Sequence, residues 1–554
     1  MRGRSFYLEI LLEHIADEIL TASHLSRSAL LYTGGGHFYL LLANTSENID
    51  LLNNVAVRIN EWLLHYFGSR LYLALGWAAC SANDFMDSEA GRTGKVYRKV
   101  SEILSRNKLQ RYTQEQLGQL FSPESYFNMV KYGERECSIC HSSTGELEAY
   151  SEDNPDTLAC PYCRRLFQLG SDMLNKDIIA VYDEPHEKSF PLPTLTGECY
   201  MVVVSEKEVT DAAKKRLYVK NRMLTGESMA TVLWMGDYSK RNEHRRVMEF
   251  EELAEISGGC RESSGIKRLA VMRADVDNLG SAFIAGFNKK YATLSRSAVL
   301  SRQLSMFFKR YINDICLGNS MYFSEAEKPF RLFEGDKASA RALHIVYSGG
   351  DDVFVVGAWD DVLEMSVDLY RAFKCFNGGK LTFSAGIGFF KDKTPISFMA
   401  EETGKLESFA KNNPDKNSIS LFGFDSEIYN ENSNKEAQVY QWSDFIEGVC
   451  GEKLSFIKEH FSLRESDGDK LYLGKSLIYK LLELLENCSE GINLARFAYI
   501  IARMKPDSKN SVQLEHYKLL RGKLYEWYKA DTDRQELITA LQLLVYSLRD
   551  KEEK

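Results

Sequence analysis

The sequence predicts an α+β chain in four parts: two related units on a βαββαβ-like pattern, a metal-holding connecting region between them, and a helical C-terminal domain. Three observations carry this expectation. Residues 344–359, HIVYSGGDDVFVVGAW, read as a β-hairpin with Gly349-Gly350-Asp351-Asp352 at its bend. The pattern recurs with an offset of 315, where Tyr32-Thr33-Gly34-Gly35-Gly36-His37 leads into FYLLLANT. Two CxxC pairs, Cys137/Cys140 and Cys160/Cys163, lie between the two copies.

These features set the boundaries: a first unit over 1–120, a linker domain over 121–265, a second unit over 266–427 and a helical domain over 428–554. A chain of 554 residues is too long for one core. With 44% apolar and 27% charged residues and 10 prolines, its composition is that of an ordinary folded protein. The formal net charge of -9 excludes a generally basic nucleic-acid binder, so contact with RNA or DNA needs local patches or basic partner subunits. No apolar run approaches the roughly 18 residues of a membrane span. The N-terminus meets Glu9 too soon for a signal peptide, and the 11 cysteines, seven of them scattered singly, fit a reducing cytoplasm.

In the first unit the pattern predicts a helix over 6–20, the glycine hairpin, a helix over 49–67 and a strand over 71–79. It opens on a helix, with no counterpart of the strand that opens the second unit. This suggests a shortened form, or a preceding segment supplied by another chain. Gly36 and His37 stand where the second copy has Asp351 and Asp352, so the first hairpin is expected to cradle phosphate without holding catalytic metal. His37 reads as a nucleotide contact or as filler.

In the linker, 19 residues separate the CxxC pairs, a spacing that suits a structural four-thiolate zinc site. His141 is surplus to the four sulfurs. Residues 197–206 read as strand. The basic run over 240–246, KRNEHRR, has two readings, an RNA contact or a solvated surface, and the second is preferred.

The second unit opens with a strand over 268–278 that ends in Asp275-Val276-Asp277, and alternation places the two aspartates on one face. Together with the carboxylates of the hairpin they form a candidate two-metal site for Mg²⁺ shared with substrate phosphates. A helix over 360–376, a strand over 381–390 and a helix over 395–412 follow. Lys405 and Lys411 on the last helix either face the hairpin and bind triphosphate or are solvated. Beyond 428, apolar faces such as Leu477/Ile478/Leu481/Leu482/Leu484/Leu485, Leu494/Phe497/Ile500/Ile501/Met504 and Leu537/Leu541/Leu544/Leu548 predict a docking bundle.

The ordered set YTGGGHFYLLLANT, CSIC…CPYC, ADVDNLG, YSGGDD and a helical tail resembles the large subunit of type III-A CRISPR interference complexes, the Csm type, over essentially the whole chain. The resemblance implies two ferredoxin-like palm domains related to nucleotidyl cyclases and polymerases, and synthesis of cyclic oligoadenylates from ATP once guide RNA pairs with a target transcript. It implies that Asp275, Asp351 and Asp352, with Asp277 as a further candidate, hold Mg²⁺ or Mn²⁺. Ser348, Gly349 and Gly350 would shape one nucleotide pocket, Asn278, Gly280 and Ser281 would hold phosphates, and Gly34, Gly35, Gly36 and His37 would hold a second ATP. Implied partners are the guide CRISPR RNA, the target RNA, the small subunit and the subunit that binds the guide 5′ end.

One departure stands out. Members of the family often carry an N-terminal His-Asp nuclease, and this chain has no His-Asp dipeptide, so no such DNase activity is expected of it. Two other readings remain open: a scaffold that only binds guide and target RNA, and a diguanylate-cyclase-like enzyme.

Overall fold

The computed structural model describes residues 2–86, 92–123, 136–143, 146–151, 154–186, 188–209, 214–223, 229–258, 265–287, 291, 293–318, 328–333, 340–422, 438–462, 471–472, 474–487, 491–506 and 511–548. The chain divides into two compact units, Met1–Asp237 with Asn278–Arg310 and Val346–Asp351, and Tyr238–Asp277 with Tyr311–Ile345 and Asp352–Lys554.

The first unit opens with α1 (Arg2–Ala22), followed by the hairpin β1 (Leu30–Gly34) and β2 (His37–Leu40), and then α2 (Ser46–Phe67). Phe6, Ile10 and Ile19 of α1 are buried in one core with Val55, Ile59 and Trp62 of α2, as their helical spacing requires. The Thr45 hydroxyl accepts from the Asn48 amide and caps α2. Beside this apolar face α1 buries Glu13, His14, Asp17 and Glu18. Arg27 donates to Asp17 and Glu13, Arg216 to Glu18, and the Tyr218 hydroxyl to Asp17, so each buried carboxylate has a donor.

The predicted strand over 71–79 is not one. Residues 71–80 carry no strand hydrogen bonds; the Asn60 side chain instead brackets Leu73, accepting from its amide at 2.8 Å and donating to its carbonyl at 3.0 Å. In the second unit the equivalent strand is held by its neighbour, residues 269–276, and no counterpart of that neighbour occurs among the described residues of the first unit. Two side-chain amide bonds take the place of a ladder.

Helices α3 (Ala82–Met86), α4 (Arg92–Leu109) and α5 (Gln114–Phe121) follow, then the hairpin β3 (Glu148–Ser151) and β4 (Asn154–Ala159), and α6 (Pro161–Asn175). A five-stranded sheet comes next, built from β5 (Ile178–Tyr182), β6 (Phe190–Pro193), β7 (Glu198–Val204), β8 (Lys214–Lys220) and β9 (Thr231–Leu233) in the order β6-β7-β5-β8-β9. The strand expected at 197–206 is β7. In the basic run after it, Arg246 pairs with Glu249 and Glu252 and lies exposed, which is the solvated reading.

Further along lie α7 (Phe250–Glu255), β10 (Leu269–Val276), α8 (Leu279–Ala285), α9 (Leu294–Met306), α10 (Ile312–Cys316), β11 (Leu343–Ser348) and β12 (Asp352–Ala358). Then come α11 (Trp359–Asn377), β13 (Phe383–Phe390), α12 (Ile396–Asn412), β14 (Ser418–Leu421) and β15 (Gln438–Gln441). The sheet runs β11-β12-β10-β13-β14-β15, with β10 paired antiparallel to both β12 and β13. β10 is apolar almost throughout because both edges are paired and α11 and α12 pack on it. The outer edge of β11 is closed by residues 238–240, with the Ile345 amide donating to Tyr238 O and the Lys240 amide to Leu343 O.

Residues beyond 428 are not wholly helical as predicted. β15 is the sixth strand of the sheet, and only after it come α13 (Ser455–His460), the short strands β16 (Phe461–Ser462) and β17 (Leu471–Tyr472), α14 (Lys475–Glu486), α15 (Gly491–Arg503), α16 (Ser511–Lys529) and α17 (Asp531–Leu548). Ile478, Leu481, Phe497, Ile501, Leu537 and Leu541 are buried as their periodicity predicts, whereas Leu494 is 48% exposed.

Candidate active site

In the second unit, the C-terminal end of β10 and the first residue of β12 bring two carboxylates together. Asp275 lies opposite Asp352 in the antiparallel register, and Asp351 precedes Asp352 in the chain. On its other side Asp275 faces Ser384 of β13. Lys411, in the last turn of α12, places Nζ 2.7 Å from Asp275 Oδ2 and 2.8 Å from Glu407 Oε1. Burial alone would lower the pKa of this ammonium; its bonds to Asp275 and Glu407 outweigh that and raise it, so it stays charged. α12 lies this close because β13 has no side chain at Gly386, where an added Cβ would fall 2.3 Å from the Glu407 amide nitrogen.

The two lysines therefore separate. Lys411 meets the carboxylate site, while Lys405 lies exposed on the far side of the helix and pairs with Glu401 and Glu402, the solvated alternative.

The two aspartates also separate, against the expectation of a shared face. β10 ends at Val276, so strand alternation no longer governs Asp277. Asp277 is 5% exposed, and its carboxylate accepts from Ser384 Oγ at 2.8 Å, Thr382 Oγ1 at 2.8 Å and the Asn417 amide at 3.0 Å. It ties the end of β10 to the starts of β13 and β14. Asn278, Gly280 and Ser281 stand at the start of α8, with Asn278 in the left-handed conformation at φ 53°.

In the first unit, the glycine tips of both hairpins come together. A Cβ on Gly350 would lie 3.0 Å from the Tyr32 hydroxyl, and one on Gly35 would lie 3.3 Å from Asp351 Oδ1. Gly35 and Gly36 have φ of 55° and 76°, a turn that favours glycine. His37 folds back on its own hairpin, with Nδ1 3.1 Å from Gly35 O and its ring 5.0 Å from that of Tyr32. Gly349 is buried at the bend. Ser348 is turned inward, its hydroxyl donating to Phe308 O, so it anchors the tip instead of facing a nucleotide.

Beside this tip is a cavity of about 340 Å³, whose lining includes Arg27, Tyr32, Thr33, Arg302, Ser305 and Lys309. Ser305 Oγ is buried with no hydrogen-bond partner. Neither Tyr32 as a contact nor Ser305 emerged from the sequence. The one available signal was the spacing of Ser301 and Ser305, which puts two hydroxyls on one face of an otherwise amphipathic helix.

The cysteine pairs also converge. The sulfurs of Cys137, Cys140, Cys160 and Cys163 lie within 4.8 Å of one another, and Cys140 Sγ is 3.8 Å from Cys160 Sγ. Thiolates at 2.3 Å from a tetrahedral zinc would sit about 3.8 Å apart, so the donor set and its spacing fit that ion. The second pair starts α6, with Cys160 as the N-cap and Pro161 following. Hydrogen bonding with Cys163 draws the Cys160 thiol down to about 5, and the same bond pushes Cys163 up. Amides of Ile139 and Cys160 donate to Cys137 Sγ, as around a bound metal.

Asp275 and Asp352 face each other at the ends of two strands and are hard oxygen donors of the kind a divalent cation takes, with the Lys411 ammonium paired to Asp275.

Three family models match the chain in order: Csm1 subunit domain B over residues 1–123, the second palm domain of Cas10/Cmr2 over 268–420, and the second helical domain of the CRISPR RNA silencing complex Cmr2 subunit over 458–550. Curated relatives named as the CRISPR system single-strand-specific deoxyribonuclease Cas10/Csm1 (subtype III-A) are similar throughout. That of Mycobacterium tuberculosis is 38% identical over 571 residues, covering 100% of this chain and 64% of that protein. That of Streptococcus thermophilus is 37% identical over 560 residues, covering 99% and 65%. The chain thus spans a little under two thirds of the length of the relatives it matches.

Among solved structures, the Csm1–Csm4 subcomplex of the type III-A CRISPR-Csm interference complex is similar with a TM-score of 0.71 at 24% identity, covering 99% of this chain and 66% of that one. A Csm1–Csm4 cassette in complex with cA4 gives 0.69 at 24%, covering 98% and 66%. At that identity the likeness establishes the fold. The sequence matches carry the assignment further, and the chain belongs to the Cas10/Csm1 family of subtype III-A CRISPR systems.

Proposed function

We propose that this chain makes cyclic oligoadenylates from ATP inside an RNA-guided type III-A complex, switched on when guide RNA pairs with target RNA. One observation carries the reading: Asp275 and Asp352 face each other across neighbouring strands, with a half-buried lysine ammonium against the first. The similar Csm1–Csm4 structures hold ATP, pppApA, cA3 or cA4, which supports a nucleotide in the corresponding place.

In this reading Asp275, Asp351 and Asp352 would hold Mg²⁺ or Mn²⁺, which would supply activation of a ribose 3′-hydroxyl and charge neutralisation at the α-phosphate. The 3′-hydroxyl of one ATP gives up its proton to water, its oxygen forms a bond to the α-phosphorus of the next, the bond from that phosphorus to the oxygen bridging the β-phosphate breaks, and pyrophosphate leaves. Lys411 is placed to move from Asp275 to the triphosphate. Gly350 and Gly35 let the two hairpin tips approach each other, since a side chain at either would crowd the Tyr32 hydroxyl or Asp351. The Ser305 hydroxyl offers a hydrogen bond to a base edge in the adjoining cavity. Asp277 braces the strand ends and does not ligate metal. The four cysteines hold a structural zinc, and the implied partners are guide RNA, target RNA and a Csm4-type subunit. Among the described residues no helix is long and apolar enough to cross a membrane, and the proposed site of action is the cytoplasm.

The test is mass spectrometry of products after the protein, assembled with guide RNA, matching target and partner subunits, is given ATP and Mg²⁺. An Asp351→Ala/Asp352→Ala variant runs beside it. Cyclic adenylates from the parent alone are expected. Their absence from a target-bound complex overturns the synthase reading and favours a scaffold that only binds RNA.

A further inference from the structure

Lys411 is one of four groups that form a row of alternating charge. Arg273 and Asp275 stand two residues apart on β10, so both side chains leave the face of the sheet that α12 covers. On α12, Glu407 and Lys411 stand one turn apart and meet that face. Glu407 Oε2 is 3.2 Å from Arg273 Nε, Glu407 Oε1 is 2.8 Å from Lys411 Nζ, and Lys411 Nζ is 2.7 Å from Asp275 Oδ2. The order is Arg273, Glu407, Lys411, Asp275, and the four charges cancel.

Two glycines make room for the row. Gly386 of β13 lies beside Arg273 in the strand register, and there α12 closes on the sheet. Gly404, three residues before Glu407, leaves the space that the guanidinium fills: a Cβ there would lie 2.8 Å from Arg273 Nη1. Arg273 Nη1 also donates to Ala400 O at 3.4 Å. The Glu407 side chain is only 11% exposed, and each of its oxygens faces one cation.

The row bears on the metal proposed for Asp275, and the inference rests on that reading. A divalent cation on Asp275 meets the Lys411 ammonium at the same carboxylate, and the like charges repel. Lys411 therefore has to leave Asp275 as the metal arrives. Glu407 already holds the same Nζ, so the ammonium can release one carboxylate and keep the other. A rotation of the lysine side chain is enough, with α12 fixed at Gly386. Arg273 engages the second oxygen of Glu407 and keeps that carboxylate in place.

We infer that Glu407 is a positioning residue for the metal site: it takes up Lys411 when Asp275 turns to the cation, and so sets the concentration of Mg²⁺ or Mn²⁺ at which the site fills. Arg273 holds Glu407 for that task. Glu407 itself touches no metal and acts through Lys411.

The experiment titrates the full chain with Mn²⁺ and no nucleotide, reading free manganese by electron paramagnetic resonance. Salt is held at about 0.15 M, which screens exposed charges beyond about 8 Å. Asp275→Ala gives the background. Lys411→Gln removes the competing cation and is expected to tighten binding about 5-fold. Glu407→Gln leaves Lys411 to Asp275 alone and is expected to weaken it about 5-fold.

The double variant decides. If Glu407 acts through Lys411, Glu407→Gln changes the affinity by less than about 2-fold in the Lys411→Gln background. Were it to act by its own charge on the metal, the same weakening would persist there, and that result overturns the inference. Lys405→Gln, which removes a cation from the exposed side of α12, is expected to bind as the parent does; tightening equal to that of Lys411→Gln overturns the inference too. Should Glu407→Gln fail to fold by circular dichroism, Arg273→Gln takes its place. It gives Glu407 over to Lys411, so it tightens binding alone and has no effect beside Lys411→Gln; an equal effect in both backgrounds overturns the inference. A parent that binds no manganese above the Asp275→Ala background overturns the metal reading itself. A parent that binds it, with an affinity indifferent to both single variants, overturns this inference alone.

Discussion

Replacing Asp277 with alanine removes a buried carboxylate on which three donors converge, two hydroxyls and one amide, at 2.8 to 3.0 Å. The Asn417 amide cannot turn away, and leaving it buried without an acceptor costs about 1–3 kcal/mol. Thr382 and Ser384 can rotate their hydroxyls, so their share is about 1 kcal/mol each, and the sum is about 3–5 kcal/mol. Because the chain has two units, a single global unfolding energy would blur the effect. Hydrogen exchange read by mass spectrometry localises it. Peptides over 380–390 and 413–421 should exchange roughly 100-fold faster or more, since each 1.4 kcal/mol of opening free energy is a factor of ten. Manganese binding, followed by electron paramagnetic resonance, should survive Asp277→Ala and be lost in Asp275→Ala. Unchanged exchange together with lost manganese would refute the reasoning and make Asp277 a ligand.

Two further outcomes follow from the first unit. Cys140→Ser, or a strong chelator, should release one zinc per chain by elemental analysis and open the region over 136–165 to protease; a chain purified without zinc and indifferent to chelator contradicts the site. His14 is buried beneath Arg216 and Lys215, with Cys199 and Glu18 also facing it, and burial first, then those cations, lowers its pKa to about 3. Above pH 6.5 both folded and unfolded states leave it neutral; below that only the unfolded state takes up the proton, so stability falls as pH drops towards 3. Between pH 6.5 and 5 the loss through this residue is about 2 kcal/mol. His14→Gln should flatten the acid side of a thermal-melting series, and an unchanged slope removes the residue from the account.

The second glycine hairpin and β10 were legible as structure because two glycines at a bend between apolar runs of β-branched residues favour a strand pair. The zinc site was legible because four sulfurs at that spacing have one common purpose. What failed to show was whatever depends on partners distant in sequence. The 71–79 segment has the composition of a strand, but a strand needs a neighbour, and the described first unit provides none. Asp277 obeys alternation on paper, yet β10 stops one residue short of it, and the hydroxyls that capture it come from a strand more than 100 residues away. Leu494 carries helical periodicity on a face that its own chain leaves open.

The closure of β11 by residues 238–240 has a consequence for solubility. The segment 343–348, LHIVYS, is rich in β-branched and aromatic residues and, with its outer edge bare, would offer a template for strand addition by other copies of the chain. The bonds from Ile345 to Tyr238 and from Lys240 to Leu343 occupy that edge within the molecule. Residues 238–240 thus act as a gatekeeper against self-association, and linker redesigns that shorten or stiffen them put the chain at risk of aggregating before any effect on catalysis is seen.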